Sequence, residues 1–371
     1  MINNKIHKKY LKIAQEKSKK SFGSNLPNPS VCCLIVDYTN NKFGKLISLG
    51  ITGKNGRPHA EEIAIENIIK NININNLIMY VTLEPCFHYS KNKSCVDQII
   101  NSGIRNVFIA AKDPDKRTNN KSIIKLKKNK INVNVGITNN LFYLTNRFFY
   151  ININKNRSYI KYKLAISKDH KVSYNNKKNK WISNFKSRNY AHILRFQSDA
   201  ILTTADTINS DNSRLTIRIN KYPQFKNKII ILDKNLKIKM SSIIFKSSNK
   251  RDIIIFTSSK NYKKIKKLKK INCHIIFQKK INNCFDINKI LRKTYSLNIT
   301  NILVEAGRKL FKEMYEKKLI DEFHLFISSV NIGNQGLNMS LKDKIFPLKK
   351  LQSRLITKKK FLNDNYYHFN F

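Results

Sequence analysis

The chain has 371 residues, enough for two domains, and its six cysteines are too few and too scattered for a disulfide scaffold. Its net charge of +49 would suit nucleic acid or an anionic surface, but Lys, Asn and Ile recur inside apparent strands and helices as often as in loops, which fits AT-rich codon usage better than a basic patch. No run of eighteen apolar residues offers a membrane span and Met1-Ile2-Asn3-Asn4-Lys5 lacks the apolar core of a signal peptide, so a cytoplasmic protein without nucleic acid or membrane is expected.

In chain order, Ile6, Tyr10, Ile13 and Ala14 have helical spacing, which predicts a helix over 5–20. A loop rich in Asn, Pro and Gly follows over 22–29. The apolar run 31–36 reads as a buried strand, with Cys32 and Cys33 as small core residues, and 45–50 as its partner across a turn at Asn40-Asn41. Pro58 suits a helix start, and Ile63, Ile65 and Ile68 continue that helix to about 69. Strands are predicted over 77–83, 107–111 and 131–136, and helices over 95–102, 122–128 and 139–151. Strands alternating with helices imply an α/β sheet covered on its faces.

The chemistry of this half lies in Pro58-His59-Ala60-Glu61, then Thr82-Leu83-Glu84-Pro85-Cys86, then Cys95. One histidine and two cysteines make a three-ligand zinc set with a fourth position open, as catalytic rather than structural zinc requires. His88 and His7 are the only candidates for a fourth ligand, and neither has a standard spacing. His-x-Glu followed by Pro-Cys and a second Cys is the pattern of zinc deaminases, in which the Glu is the acid/base. The helix start places His59 and Glu61 in a first turn, where backbone N–H groups face the metal.

The second half opens with a strand over 159–165 and continues with a loop over 175–180, a helix over 187–197 and a strand over 199–202. Strands over 229–233, 252–257 and 273–277 follow, with a basic helix over 260–270 that reads as a solvated face. A helix over 287–295, a strand over 301–305, a helix over 308–317 and a strand over 322–328 complete the pattern. The strand ending in Glu305-Ala306-Gly307 before a helix offers a helix N-terminus for phosphate, although a lone Gly there is also an ordinary tight turn. No Gly-x-Gly-x-x-Gly occurs.

Eight residues separate Cys86 from Cys95, more than the Cys-x-x-Cys of nucleoside deaminases. That loop, with Pro27-Asn28-Pro29 upstream, resembles the deaminase half of the bifunctional riboflavin-biosynthesis deaminase/reductase. The second half is similar to the reductase of the same family through Leu164-Ala165-x-Ser167-x-Asp169, Trp181-Ile182-Ser183, Leu194-Arg195, Asp199-Ala200-Ile201-Leu202, Thr207, Asp211, Leu215-Thr216-x-Arg218 and Val304-Glu305-Ala306-Gly307.

The resemblance implies a cytidine-deaminase-like three-layer α/β/α domain over 1–152 and a dihydrofolate-reductase-like α/β domain over 153–371. It implies zinc on His59, Cys86 and Cys95, Glu61 as proton shuttle and Asn28 against the pyrimidine. It places NADPH on Ala165, Trp181, Thr207, Asp211 and Gly307, and the sugar-phosphate substrate on Asn179, Arg195, Leu215, Arg218 and Glu305. Two arginines suit a phosphate, Glu305 could accept from ribose hydroxyls, and Trp181 could cover the cofactor or simply be core. The expected reactions are deamination of 2,5-diamino-6-ribosylamino-4(3H)-pyrimidinone 5′-phosphate, then reduction of its ribosyl group to ribityl; a homodimer is compatible with the likeness.

The chain departs from the family pattern at Leu26, Cys32, the loop from Ser90 to Ser94, His170, Asn212, Ser213, Arg308 and Ser329, which weighs more on the reductase than on the deaminase. Two rival readings are a tRNA or nucleic-acid base deaminase and a decayed enzyme kept as a binding protein.

Overall fold

The computed structural model describes residues 3–68, 72–88, 94–174, 181–219, 226–339 and 351–371. The chain divides into two compact units, Met1–Asn156 and Arg157–Phe371.

The first unit runs α1 (Asn4–Ser18), β1 (Cys32–Asp37), β2 (Lys45–Ile51), α2 (Ala60–Glu66), β3 (Leu77–Val81), α3 (Cys95–Asn101), β4 (Asn106–Ile109), α4 (Lys121–Lys128), β5 (Asn132–Val135), α5 (Asn139–Thr145) and α6 (Arg147–Lys155). Its five strands lie in the order β2-β1-β3-β4-β5, with β1 antiparallel to both neighbours and β3, β4 and β5 parallel. Successive strand residues point to opposite faces. Cys32, Leu34, Val36, Tyr80 and Phe108 therefore pack on Leu11 and Ala14 of α1. Cys33, Ile35, Met79, Val81 and Val107 pack on Ala60, Ala64, Val96, Ile99 and Leu126 of α2, α3 and α4. Helices on both faces of one sheet are the three layers expected.

The helix expected over 139–151 is in fact two. The buried Asn146 turns its amide onto the distant backbone of Ser30, accepting from its N–H at 2.7 Å and donating to its carbonyl at 3.1 Å. A side chain committed to another segment's backbone interrupts the helix where its local pattern would continue.

The second unit runs β6 (Tyr159–Ile166), β7 (Lys171–Tyr174), α7 (Phe185–Phe196), β8 (Ala200–Thr204), α8 (Ala205–Asp211), β9 (Lys228–Leu232), β10 (Ile253–Thr257), α9 (Tyr262–Lys270), β11 (Cys273–Phe277), β12 (Lys280–Ile281), β13 (Cys284–Phe285), α10 (Ile287–Ser296), β14 (Asn301–Val304), α11 (Arg308–Glu316), β15 (Glu322–Ile327), β16 (Gly336–Asn338), β17 (Leu355–Phe361) and β18 (Asp364–Asn370). Nine strands form one sheet in the order β11-β10-β9-β8-β14-β6-β15-β18-β17. The seven from β11 to β15 are parallel, and the C-terminal hairpin adds antiparallel to β15. One face packs on Ile290 and Leu291 of α10 and Leu310, Phe311 and Met314 of α11. The other takes Ile208 of α8, Leu268 of α9 and Leu194 of α7.

The sequence pattern did not show α8, which begins directly after β8 with Thr204 as its cap, or the β17–β18 hairpin. Lys358, Lys359 and Lys360 sit on β17, the sheet's outer strand, where charge discourages edge-to-edge pairing while masking the strand signal. Among the described residues no helix is long and apolar enough to cross a membrane. The loop expected over 175–180 lies outside the described residues.

Candidate active sites

The deaminase site forms where two helix N-termini meet the loop after β3. His59 is the N-cap of α2, Cys95 opens α3 behind the cap Ser94, and Cys86 comes from the loop. His59 Nδ1 lies 3.1 Å from Cys95 Sγ and 3.6 Å from Cys86 Sγ. Donor atoms about 2.0–2.3 Å from a tetrahedral zinc are about 3.5 Å apart, so one imidazole and two sulfurs converge as a zinc set should. The Cys95 N–H donates to Cys86 Sγ at 3.3 Å, and the Val96 N–H to the Cys86 carbonyl, also at 3.3 Å. The neighbouring Cys95 thiol, with His59, holds the Cys86 thiol down to about 4, which is the thiolate a metal needs.

Glu61 is buried in the first turn of α2. Burial pushes its carboxyl up to about 7 while His59 opposes, and a cation on the three ligands would act in the same direction as His59.

Sequence reasoning missed Glu62. It accepts from the His59 N–H at 2.6 Å, from Gln98 Nε2 at 3.1 Å and from Arg57 at 3.3 Å, so it clamps the ligand histidine to α3 and to the loop before α2. The only signal available was its N3 position after the cap, which reads as an ordinary helix start. Glu62→Ala is expected to weaken zinc binding by about 10- to 100-fold in chelator competition, the usual cost of losing such a support.

Asn28 is exposed and hydrogen-bonds through Nδ2 to the Asn55 carbonyl at 3.3 Å, lying over Gly56. Gly56 has φ +85°, and a Cβ there would meet Asn28 Nδ2 at 1.7 Å. Gly56→Ala is therefore expected to displace Asn28 and raise the deaminase KM about tenfold, with zinc content unchanged. Of the inter-cysteine loop Phe87, His88 and Ser94 are described; Ser94 caps α3 and bonds Asp97.

In the second unit Ala165 lies on β6, Thr207 and Asp211 on α8 directly after β8, and Glu305 directly after β14. Glu305 follows β14 and Arg195 ends α7, and they pair through two hydrogen bonds, Nε at 2.5 Å and Nη2 at 3.0 Å; Arg195 Nη1 donates to the Thr216 carbonyl at 2.8 Å. Burial opposes ionisation of Glu305, but Arg195 holds it down to about 2. The structure thus assigns these two residues to each other. Arg195 is already paired within the chain, and both oxygens of Glu305 are engaged. Arg218 is exposed, with Nη1 on Thr216 Oγ1 at 3.3 Å and its N–H on His192 Nδ1 at 3.3 Å. Leu215 is buried at φ +48°, in a loop pinned by Arg251, which donates to the Leu215 carbonyl at 2.9 Å and to the Arg214 carbonyl.

Lys163 was also missed. Burial lowers its pKa, Glu305 and Asp211 oppose, and its Nζ lies 5.9 Å from the Phe326 ring centre. It lies opposite His324 of β15 in the strand register. In the strand pattern it looks like any alternating lysine.

Ala165 is half-buried on β6, packed with Leu194 and Phe326. Thr207 lies in the first turn of α8, its hydroxyl 2.9 Å from that of Thr204, and Asp211 ends the same helix. Trp181 is 58% exposed, so it is not core; the Arg188 guanidinium sits 4.9 Å from its ring centre. Gly307 caps α11 without a side-chain cap, and a Cβ there would meet nothing within 4 Å. An uncapped helix start facing open space fits a dinucleotide phosphate. Asn179 lies outside the described residues.

Two of the positions that depart from the family pattern take a left-handed backbone. His170 holds φ +62° in the turn after β6, and Asn212 holds φ +45° as the left-handed cap of α8, a conformation Asn tolerates well. Arg308 turns its guanidinium to the Asn338 carbonyl at 2.6 Å.

Two family models match the chain: "Cytidine and deoxycytidylate deaminase zinc-binding region" over 4–111 and "RibD C-terminal domain" over 158–361. The riboflavin biosynthesis protein RibD of Aquifex aeolicus is 32% identical over 90% of each chain. That of Buchnera aphidicola subsp. Baizongia pistaciae is 31% identical over 88% of this chain and 87% of its own. Among solved structures, the diaminohydroxyphosphoribosylaminopyrimidine deaminase/5-amino-6-(5-phosphoribosylamino)uracil reductase of Thermotoga maritima is 26% identical, with TM-score 0.83 over 98% of both chains. Acinetobacter baumannii RibD has the same fold, with TM-score 0.85 over 99% of both chains at 23% identity. Agreement along both halves fits a riboflavin enzyme and not a nucleic-acid deaminase or a decayed binding protein. The chain belongs to the RibD family of riboflavin-biosynthesis proteins and is a bifunctional enzyme that joins a zinc-type deaminase domain to a reductase domain.

Proposed function

We propose that the first unit deaminates a diaminopyrimidine ribotide and the second reduces the ribosyl group of the product to ribityl with NADPH, in the cytoplasm and without nucleic acid. The observation that carries this reading is the convergence of His59 Nδ1, Cys86 Sγ and Cys95 Sγ beside the buried Glu61.

His59, Cys86 and Cys95 hold the zinc, which supplies the Lewis acidity that makes water a nucleophile near neutral pH. Asn28 orients the pyrimidine at the mouth of the site. Glu61 takes a proton from the attacking water and delivers it to the departing amino nitrogen, so that water adds at the ring carbon and ammonia leaves. In the second unit Ala165, Trp181, Thr207, Asp211 and the open α11 start at Gly307 hold NADPH, which supplies the hydride. Arg218 and the buried Leu215 loop receive the sugar phosphate, with Asn179 assigned alongside them. Arg195 keeps Glu305 ionised and oriented beside Lys163, where the carboxylate can meet ribose hydroxyls as well as its own arginine.

A coupled assay on purified protein tests this, with the diaminopyrimidine ribotide as substrate and ammonia release and NADPH oxidation followed separately. Both signals are expected. Ammonia without NADPH oxidation would remove the reductase half of the proposal, and zinc-loaded protein giving neither would remove both.

A further inference from the structure

A second convergent donor set lies in the reductase unit, and neither site above uses it. Glu322 and His324 are two residues apart on β15 and so share a face, and His368 on β18 lies directly opposite His324. His324 Nε2 is 3.2 Å from Glu322 Oε2, and His368 Nε2 is 3.5 Å from the same oxygen. All three donor atoms lie within 4.8 Å of one another. Donors about 2.0–2.2 Å from a tetrahedral ion are spaced about 3.3–3.5 Å apart, close to the separations of 3.2 and 3.5 Å from Glu322 Oε2 to the two imidazoles.

The supports around the set are those of a metal site. His324 Nδ1 is held by the Tyr366 hydroxyl at 2.8 Å, which leaves Nε2 as the donor turned to Glu322. The Tyr159 hydroxyl donates to Glu322 Oε1 at 2.8 Å, which leaves Oε2 for the set. Fixing the far atom of each ligand is how proteins orient imidazole and carboxylate toward an ion. The two imidazoles stack with centres 4.6 Å apart and planes 16° from parallel.

A plain hydrogen-bond network accounts for less. His368 Nε2 is buried without a hydrogen-bond partner among the described residues, and 3.5 Å is long for an N–H···O bond. The side chains of Glu322 and His368 keep 17% and 21% of their surface exposed, so an ion can reach the set from solvent. Lys161 lies across from Glu322 on β6, with Nζ donating to the Gln197 carbonyl at 2.7 Å. It balances the Glu322 charge in the metal-free chain, and an ion must compete with it.

We propose that Glu322, His324 and His368 form a second divalent-metal site, suited by its two imidazoles and one carboxylate to zinc or a similar first-row ion. The ion would clasp the C-terminal β17–β18 hairpin to β15, on the sheet face that also carries Lys163.

The test is zinc content of the full, tag-free chain after equilibration with buffered zinc. Two equivalents are expected, falling to one in His368→Gln and in Glu322→Gln. With cobalt as the probe, the thiolate charge-transfer band of the Cys86–Cys95 set should be unchanged in both variants. A single equivalent in the parent, or two retained in either variant, overturns the proposal. In case the variants disturb the hairpin, calorimetric titration of a Cys86→Ser, Cys95→Ser chain gives an independent reading. One site tighter than about 10 μM supports the second set, and no such site overturns it.

Discussion

A Glu61→Gln chain is expected to release ammonia about 10⁴-fold more slowly while keeping its zinc, because the amide has the shape of the carboxylate but cannot carry the proton from water to the leaving nitrogen. His59, Cys86 and Cys95 contact one another without Glu61, so metal analysis should give the parental zinc content. Supplied with already deaminated ribotide, the same variant should consume NADPH at the parental rate, since Glu61 belongs to the first compact unit and the reductase residues to the second. Ammonia release within tenfold of the parent would show that another group moves the proton.

Glu305→Ala is expected to abolish NADPH oxidation and to destabilise the reductase unit by about 3–5 kcal/mol in denaturant unfolding, while ammonia release continues. The loss follows from what stays behind. Arg195 and Glu305 are each only 12% exposed in their side chains, and removing the acid leaves the guanidinium buried with Thr216 as its remaining acceptor. Arg195→Met with Glu305→Leu should recover much of the stability but none of the reduction, which separates the structural share of the pair from its role at the site. The pair also sets a pH dependence. Because Arg195 holds the Glu305 carboxyl down to about 2 against the opposing effect of burial, the folded pKa lies below the unfolded value of about 4.3. Its contribution is complete above about pH 5 and is lost as pH falls toward 2, and that acid-limb loss should vanish in the Met/Leu double variant.

How far each site was legible depends on whether its chemistry is written in residue type and order. The convergent set of His59, Cys86 and Cys95 beside Glu61 was legible because the proposed ligands and acid/base are marked by kind and order, and the fold had only to bring two helix starts to one loop. Glu62 was not, since a glutamate in a first turn is commonplace and its grip on His59, Gln98 and Arg57 exists only once α2 meets α3. Lys163 was hidden for a related reason. In a chain with 72 Lys and Arg, an alternating lysine in a strand carries no information until the fold buries it within the field of Glu305 and Asp211.

The sequence by itself determined the alternation of strands and helices, the two-sided burial of β1 and the donor types offered to a metal, because periodicity and residue chemistry are local. Only the tertiary structure decided that the helix after β5 breaks at Asn146, that Arg195 belongs to Glu305, and that His324 and His368 face each other across β15 and β18. Each of those depends on partners far apart in the chain, Ser30 with Asn146 or Arg195 with Glu305. A hydrogen bond or ion pair between them is set by distance in space, which no local pattern records.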